Sequence, residues 1–284
     1  MFSCKSFCDL SICESKISDL KQLCETLIEL GYQTVAINQS MKEFVISSKK
    51  KKKGVEQSNI VPEPVHLEDL QKMFEGKLTI VNRLTFEFSD QLQAHQIIQN
   101  PVTKKYHLLA AIPKTQAAYN FTCSHLNVDI VTFDPGNKYP IKHQRKMYNF
   151  AARRGLYFEL LYSPAASDGT TRQHIITRGH MYYYFGKSKN VLISSNASVP
   201  LQLKGPYDVI NIGLLFGLSE EQSKFSISEA GRKVLQHGAC RRLGKIAPVL
   251  VEHSVQNSED HTNDNGEDHD EDNSGSVKKR PRIS

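Results

Sequence analysis

Six cysteines, eleven histidines and thirty carboxylates are the residues of this chain that could carry metal or acid–base chemistry. Cys4, Cys8 and Cys13 could be drawn as a sulfur cluster, but structural zinc sites use tighter paired spacing and no C-x-x-C pair occurs. Cys8 and Cys13 fall in and beside an apolar strand-like segment with no histidine near in sequence. All six, with Cys24, Cys123 and Cys240, therefore read as free thiols of a reducing compartment. The histidines are scattered, His253, His261 and His269 among them, and form neither H-x-H nor H-E-x-x-H. No phosphate-binding P-loop, dinucleotide G-x-G-x-x-G or G-x-S-x-G nucleophile elbow is present. Asp9, Asp129 and Glu159 lie in strand-like segments and read as hydrogen-bonded strand carboxylates. The expectation holds no catalytic residue and no metal ligand.

The cations say more. Residues 252–284 hold nine acids and four bases, which leaves 32 bases against 21 acids in the rest of the chain. A basic body points to a polyanionic partner. Lys142, Arg145, Lys146 and Arg153 share one ridge of a helix read over 141–154, away from a stripe of Met147, Phe150 and Ala151. Such a ridge repels itself by tenths of a kcal/mol per pair, and is either a solvated face or a phosphate site. Arg83 interrupts the apolar run Val81–Phe86, and a buried guanidinium needs a partner. That partner is Glu87, another internal carboxylate, or a phosphate at the strand end. Lys114 follows Pro113 at the end of another strand. With Arg154, Arg172, Arg178, Arg232, Arg241 and Arg242, these are the candidate RNA contacts, arginine being suited to bidentate phosphate binding. Tyr182–Phe185 could stack bases, but adjacent residues on a helix face different ways, so core packing is the plainer reading.

Short apolar strands alternating with helices position these side chains. Strands are read at 7–12, 33–37, 77–88, 107–112, 128–133, 157–162 and 190–195. Helices follow each, including one over 66–74, one capped by Asp90, one over 115–125 and a long one from Ser163-Pro164 to Phe185. Two or three helices close the chain, with capping boxes at Ser219–Gln222 and Ser226–Glu229. Doubly apolar strands in this rhythm indicate parallel βα units: an α/β chain with a distorted (β/α) barrel of about seven strands over 1–251, or a doubly wound open sheet. Residues 39–65, with Lys49–Lys53 in a row, read as a surface loop. No apolar run approaches the length of a membrane span. The N-terminal residues lack the apolar run of a signal peptide. The 252–284 tail is too polar to offset its chain entropy, so it reads as disordered. It ends in Lys278, Lys279, Arg280 and Arg282, a cluster of the nuclear-import sort, which places the expected compartment in the nucleus and its nucleolus.

Several segments in order go beyond composition. They include Arg83-Leu-Thr85, Ala111–Thr115, Cys123–Asp129, Arg154-Gly-Leu-Tyr-Phe-Glu-Leu-Leu-Tyr-Ser-Pro164 and Gly205-Pro-Tyr-Asp-Val-Ile-Asn-Ile-Gly-Leu-Leu-Phe-Gly-Leu-Ser219. Across about 7–242 the chain resembles the thirty-kilodalton protein subunit family of eukaryotic ribonuclease P and ribonuclease MRP. The resemblance implies a barrel of the polymerase and histidinol phosphatase type that lacks that superfamily's metal-binding histidines. It also implies a noncatalytic role beside a catalytic RNA that removes 5′ leaders from precursor tRNA, with magnesium held by that RNA, and rRNA processing through MRP. A small ferredoxin-like subunit is the implied protein partner, and precursor tRNA is met indirectly. The alternative is a stand-alone metal-dependent phosphoesterase on the same barrel.

Overall fold

A computed structural model describes residues 7–44, 60–136 and 141–244. The lysine row, Cys4 and the whole tail with its basic cluster lie outside the described residues. Seven parallel strands run in sequence order around one sheet: β1 (Phe7–Cys13), β2 (Tyr32–Met41), β3 (Thr79–Phe88), β4 (Leu108–Pro113), β5 (Ile130–Val131), β6 (Tyr157–Leu161) and β7 (Val191–Ser194). The helices are α1 (Ile17–Glu29), α2 (Glu68–Met73), α3 (Gln91–Gln99), α4 (Gln116–Ser124), α5 (Arg145–Arg153), α6 (Tyr162–Ser167), α7 (Gly169–Gly186), α8 (Pro206–Leu215), α9 (Glu220–Ile227) and α10 (Glu229–Leu243). None is long and apolar enough to cross a membrane among the described residues.

The sheet curls until its ends meet, which settles the barrel over the open sheet. Just beyond β7 the chain pairs with β1: Asn196 N–H donates to Ser11 O at 2.7 Å and Cys13 N–H to Ala197 O at 2.9 Å. Asp9 pins the same seam by accepting from Ser195 N (3.1 Å) and Ser11 N (3.2 Å). A register irregularity between Asp9 and Ile12 bends β1 there.

α10 lies across the opposite end, where the strands begin. Two of its glycines, seven residues apart and hence on one face, let it press against the barrel. A Cβ on Gly231 would stand 2.6 Å from Cys8 Cβ, and one on Gly238 would stand 2.5 Å from the His107 carbonyl oxygen. Cys8, Leu10, Val81, Leu108, Tyr157 and Leu192 fill the interior beneath this helix with Ala230 and Val234. Asp129 locks it. The carboxylate takes Leu109 N–H (2.8 Å), the His237 ring (2.7 Å) and the Arg241 guanidinium (3.0 Å).

Several boundaries differ from the sequence reading. β2 runs to Met41, into the stretch read as loop. β5 is only two residues, although Asp129 and Thr132 still donate to the β4 carbonyls of Leu109 and Ala111. The long helix after β6 is two, broken at Asp168, whose extended backbone lets its carboxylate cap α7 through Thr171 N–H at 2.7 Å. The Ser219 capping box is present. Ser226 instead sits inside α9, buried, with its hydroxyl donating to the Ser223 carbonyl at 2.6 Å, so no cap forms there.

Two tests follow from closure. Gly238→Ala drives a methyl into the His107 carbonyl and lowers stability by about 1–3 kcal/mol in urea unfolding, as overpacking does. Burial pushes the Asp9 carboxyl up to about 6, against the hydrogen bonds from Ser195 and Ser11. The fold therefore holds this proton more tightly than the unfolded chain, and the Asp9 contribution is lost as pH rises through about 6. The stability of the native protein minus that of Asp9→Asn should fall from pH 4 to about pH 6 and level off above it. A flat difference would show that the seam carboxylate does not titrate in this range.

Candidate nucleic-acid interface

Among the described residues Arg83 is the largest fully buried one, 1% exposed. It rises from β3 into the barrel interior and meets Glu159 of β6 in a two-pronged pair, Nη1 to Oε1 at 2.6 Å and Nη2 to Oε2 at 2.7 Å. Nη1 also donates to the Leu10 carbonyl at the bend of β1 (2.7 Å), and Nε to Thr85 Oγ1 (3.2 Å). Burial alone would raise the Glu159 carboxyl. The Arg83 charge and its two hydrogen bonds outweigh it and hold the group below the usual carboxylate range.

This pair floors a cavity of about 210 Å³ that opens where the strands end. Ser11, Asn38, Glu87, Asp134 and Asn196 line its walls with Phe133. Lys114, at the end of β4, pairs with Glu87 on the rim at 3.1 Å.

In a βα unit each helix starts on the side where its strand finishes, so cations in first turns crowd around this mouth. Arg145 and Lys146 open α5 and are exposed, as is Arg172 in the first turn of α7. Lys142 is exposed beside them but precedes the helix. Its N–H donates to Gln116 Oε1 (2.8 Å), and its carbonyl accepts from Gln116 Nε2 (3.1 Å), tying it to the start of α4. The four-cation ridge of one helix is thus a cluster from a loop and a helix start. The buried face of α5 is also not the stripe read from sequence: Tyr148 and Ala151 are buried while Phe150 is exposed. Tyr148 stacks on Phe158 at 4.2 Å and donates its hydroxyl to the Lys189 carbonyl, which makes a polar-tipped ring a core residue.

Other candidates lie elsewhere. Arg83 is sealed in the interior and out of reach of phosphate, the internal-carboxylate alternative having prevailed. Arg178 is 4% exposed on α7, its guanidinium 4.8 Å from the Phe133 ring centre, and is likewise removed from the surface. Arg154 spends its guanidinium on the carbonyls of Thr122, Cys123 and Leu126 at the end of α4. Arg241 is spent on Asp129. Arg153, Arg232 and Arg242 stay at least partly exposed, Arg153 and Arg242 at helix ends away from the mouth. Tyr182 is core, and Tyr183 and Tyr184 are exposed. The sequence reading offers Glu87 only as a possible partner of Arg83 and assigns Asn38, Asp134 and Asn196 no binding role; their common signal is a polar residue at or just past a strand end.

The barrel thus pairs its Arg83 and Glu159 charges inside and leaves Lys142, Arg145, Lys146 and Arg172 exposed at its mouth. A model of the family described as RNase P subunit p30 matches residues 6–243, and the chain belongs to that family. It is a ribonuclease P protein subunit. It is 36% identical over 242 residues to the ribonuclease P protein subunit p30 of Mus musculus, covering 84% of this chain and 87% of that one. It is 26% identical over 225 residues to the probable ribonuclease P protein subunit 3 of Schizosaccharomyces pombe, covering 79% and 88%. A chain in the cryo-EM structure of archaeal ribonuclease P with mature tRNA shares the fold, with a TM-score of 0.59 at 14% identity over 89% of this chain and all of that one.

Removing one half of the interior pair leaves a buried charge uncompensated, so Arg83→Ala or Glu159→Gln should cost about 3–5 kcal/mol in urea unfolding. The double change Arg83→Met with Glu159→Leu should recover most of that loss. If the two single variants unfold like the native protein, the pair does not hold the barrel.

Proposed function

We propose that this subunit is a noncatalytic scaffold of the ribonuclease P ribonucleoprotein. Its mouth-end cations bear on the phosphate backbone of the catalytic RNA that removes 5′ leaders from precursor tRNA. The observation that carries this reading is the division of charge: Arg83 and Glu159 satisfy each other inside, while Lys142, Arg145, Lys146 and Arg172 remain exposed outside. Folded RNA concentrates negative charge, and a rigid basic surface lowers its self-repulsion and fixes its shape. Magnesium belongs, on this reading, to the RNA. A small ferredoxin-like subunit is the proposed protein neighbour, a share in ribonuclease MRP and rRNA processing the proposed second role, and the nucleus the proposed compartment. The stand-alone phosphoesterase is not favoured, because the barrel centre holds a guanidinium where such an enzyme would converge ligands on a cation.

Affinity for the partner RNA should fall with salt at a log–log slope of about −3, from about four phosphate contacts at ~0.7 each. Lys142→Glu, Arg145→Glu and Lys146→Glu together should bring that slope to about −1 and weaken binding at least about tenfold, with the unfolding midpoint unchanged. Filter binding across a salt series reads both, and a native slope near zero would overturn the proposal.

A further inference from the structure

The mouth cavity is more than a gap between phosphate contacts. Its volume of about 210 Å³ is the share of about seven water molecules, close to the bulk of one fused-ring base. Phe133, Ile112 and Leu161 give it apolar walls, while Asn38, Asn196 and Ser40 give it hydrogen-bonding ones. Ser11, only 1% exposed, lines it with a hydroxyl that has no hydrogen-bond partner among the described residues.

The charges narrow what can enter. A free phosphate finds no available cation inside, since Arg83 is committed to Glu159, and it meets the Glu87 and Asp134 carboxylates on the wall. No group of three or more metal-binding side chains converges among the described residues. A flat ring with apolar faces and a donor-rich edge suits the cavity. Carboxylate acceptors on the wall favour an edge with two neighbouring N–H donors, which among the RNA bases is the N1–H and 2-amino edge of guanine. Lys114, 3.1 Å from Glu87, and the exposed Lys142, Arg145 and Lys146 then stand where the flanking phosphates of the same strand would pass.

We propose that the barrel mouth is a pocket for one unstacked guanine of a bound RNA, its base edge read by Glu87 or Asp134 and its backbone held by the surrounding cations. RNA is read in this way at single-stranded positions, where bases can leave the stack. The inference rests on the RNA-facing reading of the mouth and adds base selection to it.

Fluorescence anisotropy of the full chain with uridine pentamers carrying a central guanosine, inosine or uridine tests it, each measured across a salt series. Inosine lacks only the 2-amino group. The native protein should favour guanosine over inosine by about tenfold, and Glu87→Gln or Asp134→Asn should bring that ratio to about one. In the unmodified protein, the Ile112 methyl resonance should shift on addition of guanosine monophosphate and not uridine monophosphate, which needs no variant to fold. Equal affinity for the three oligomers, with the salt slope intact, overturns the guanine pocket and leaves the phosphate face standing. Salt-independent or absent binding of all three removes the RNA-facing reading, and the pocket with it.

Discussion

One buried ion pair organises this molecule. Taking a guanidinium and a carboxylate out of water costs several kcal/mol each, and only close, doubly hydrogen-bonded geometry offsets that. Arg83 and Glu159 reach that geometry across the barrel, and Arg83 also grips the Leu10 carbonyl where β1 bends. The pair thereby couples β1, β3 and β6, whose positions must agree to within a few tenths of an ångström for both prongs to close. It leaves the barrel centre neutral overall. Lys142, Arg145, Lys146 and Arg172 are left outside it, exposed around the mouth.

The opposite end shows the same economy with different parts. Asp129 gathers an amide, an imidazole and a guanidinium, and so fastens α10 over the strand starts. Arg154 fastens the end of α4 in a similar way. These arginines are structural because their donors are consumed by carbonyls and a carboxylate from the chain itself. The exposed cations are what remains after such consumption.

That subtraction is what sequence could not perform. The unbroken run Leu108–Ile112 and the run Leu156–Leu161, interrupted only by Glu159, announce strands buried on both faces, and their alternation with helices made the barrel legible. Arg83 was legible as a charge in need of a partner, yet nothing local says that the partner lies 76 residues away on β6. Arg178 looked like a surface cation because α7 has no clean apolar stripe: its buried face mixes Ile175, Arg178, Gly179 and Tyr182. The start of α5 was misplaced because Lys142 owes its position to Gln116 of another helix, a tertiary bond that propensity does not contain. The cap at Ser219 was legible in four residues, whereas the equally local pattern at Ser226–Glu229 was not a cap, because packing buries Ser226 inside α9.

The seam that closes the barrel has a temporal side. Asp9 and the amide of Ser195 stand 186 residues apart, and α10 lies later still in the chain. A ribosome working at about 5–20 residues per second exposes the first strand for roughly ten seconds or more before its closing partner is made. Until then, one β-edge is open to any strand that happens by. The nascent polypeptide is therefore most vulnerable early, and its shelter then must come from chaperones or neighbours rather than from its own later residues.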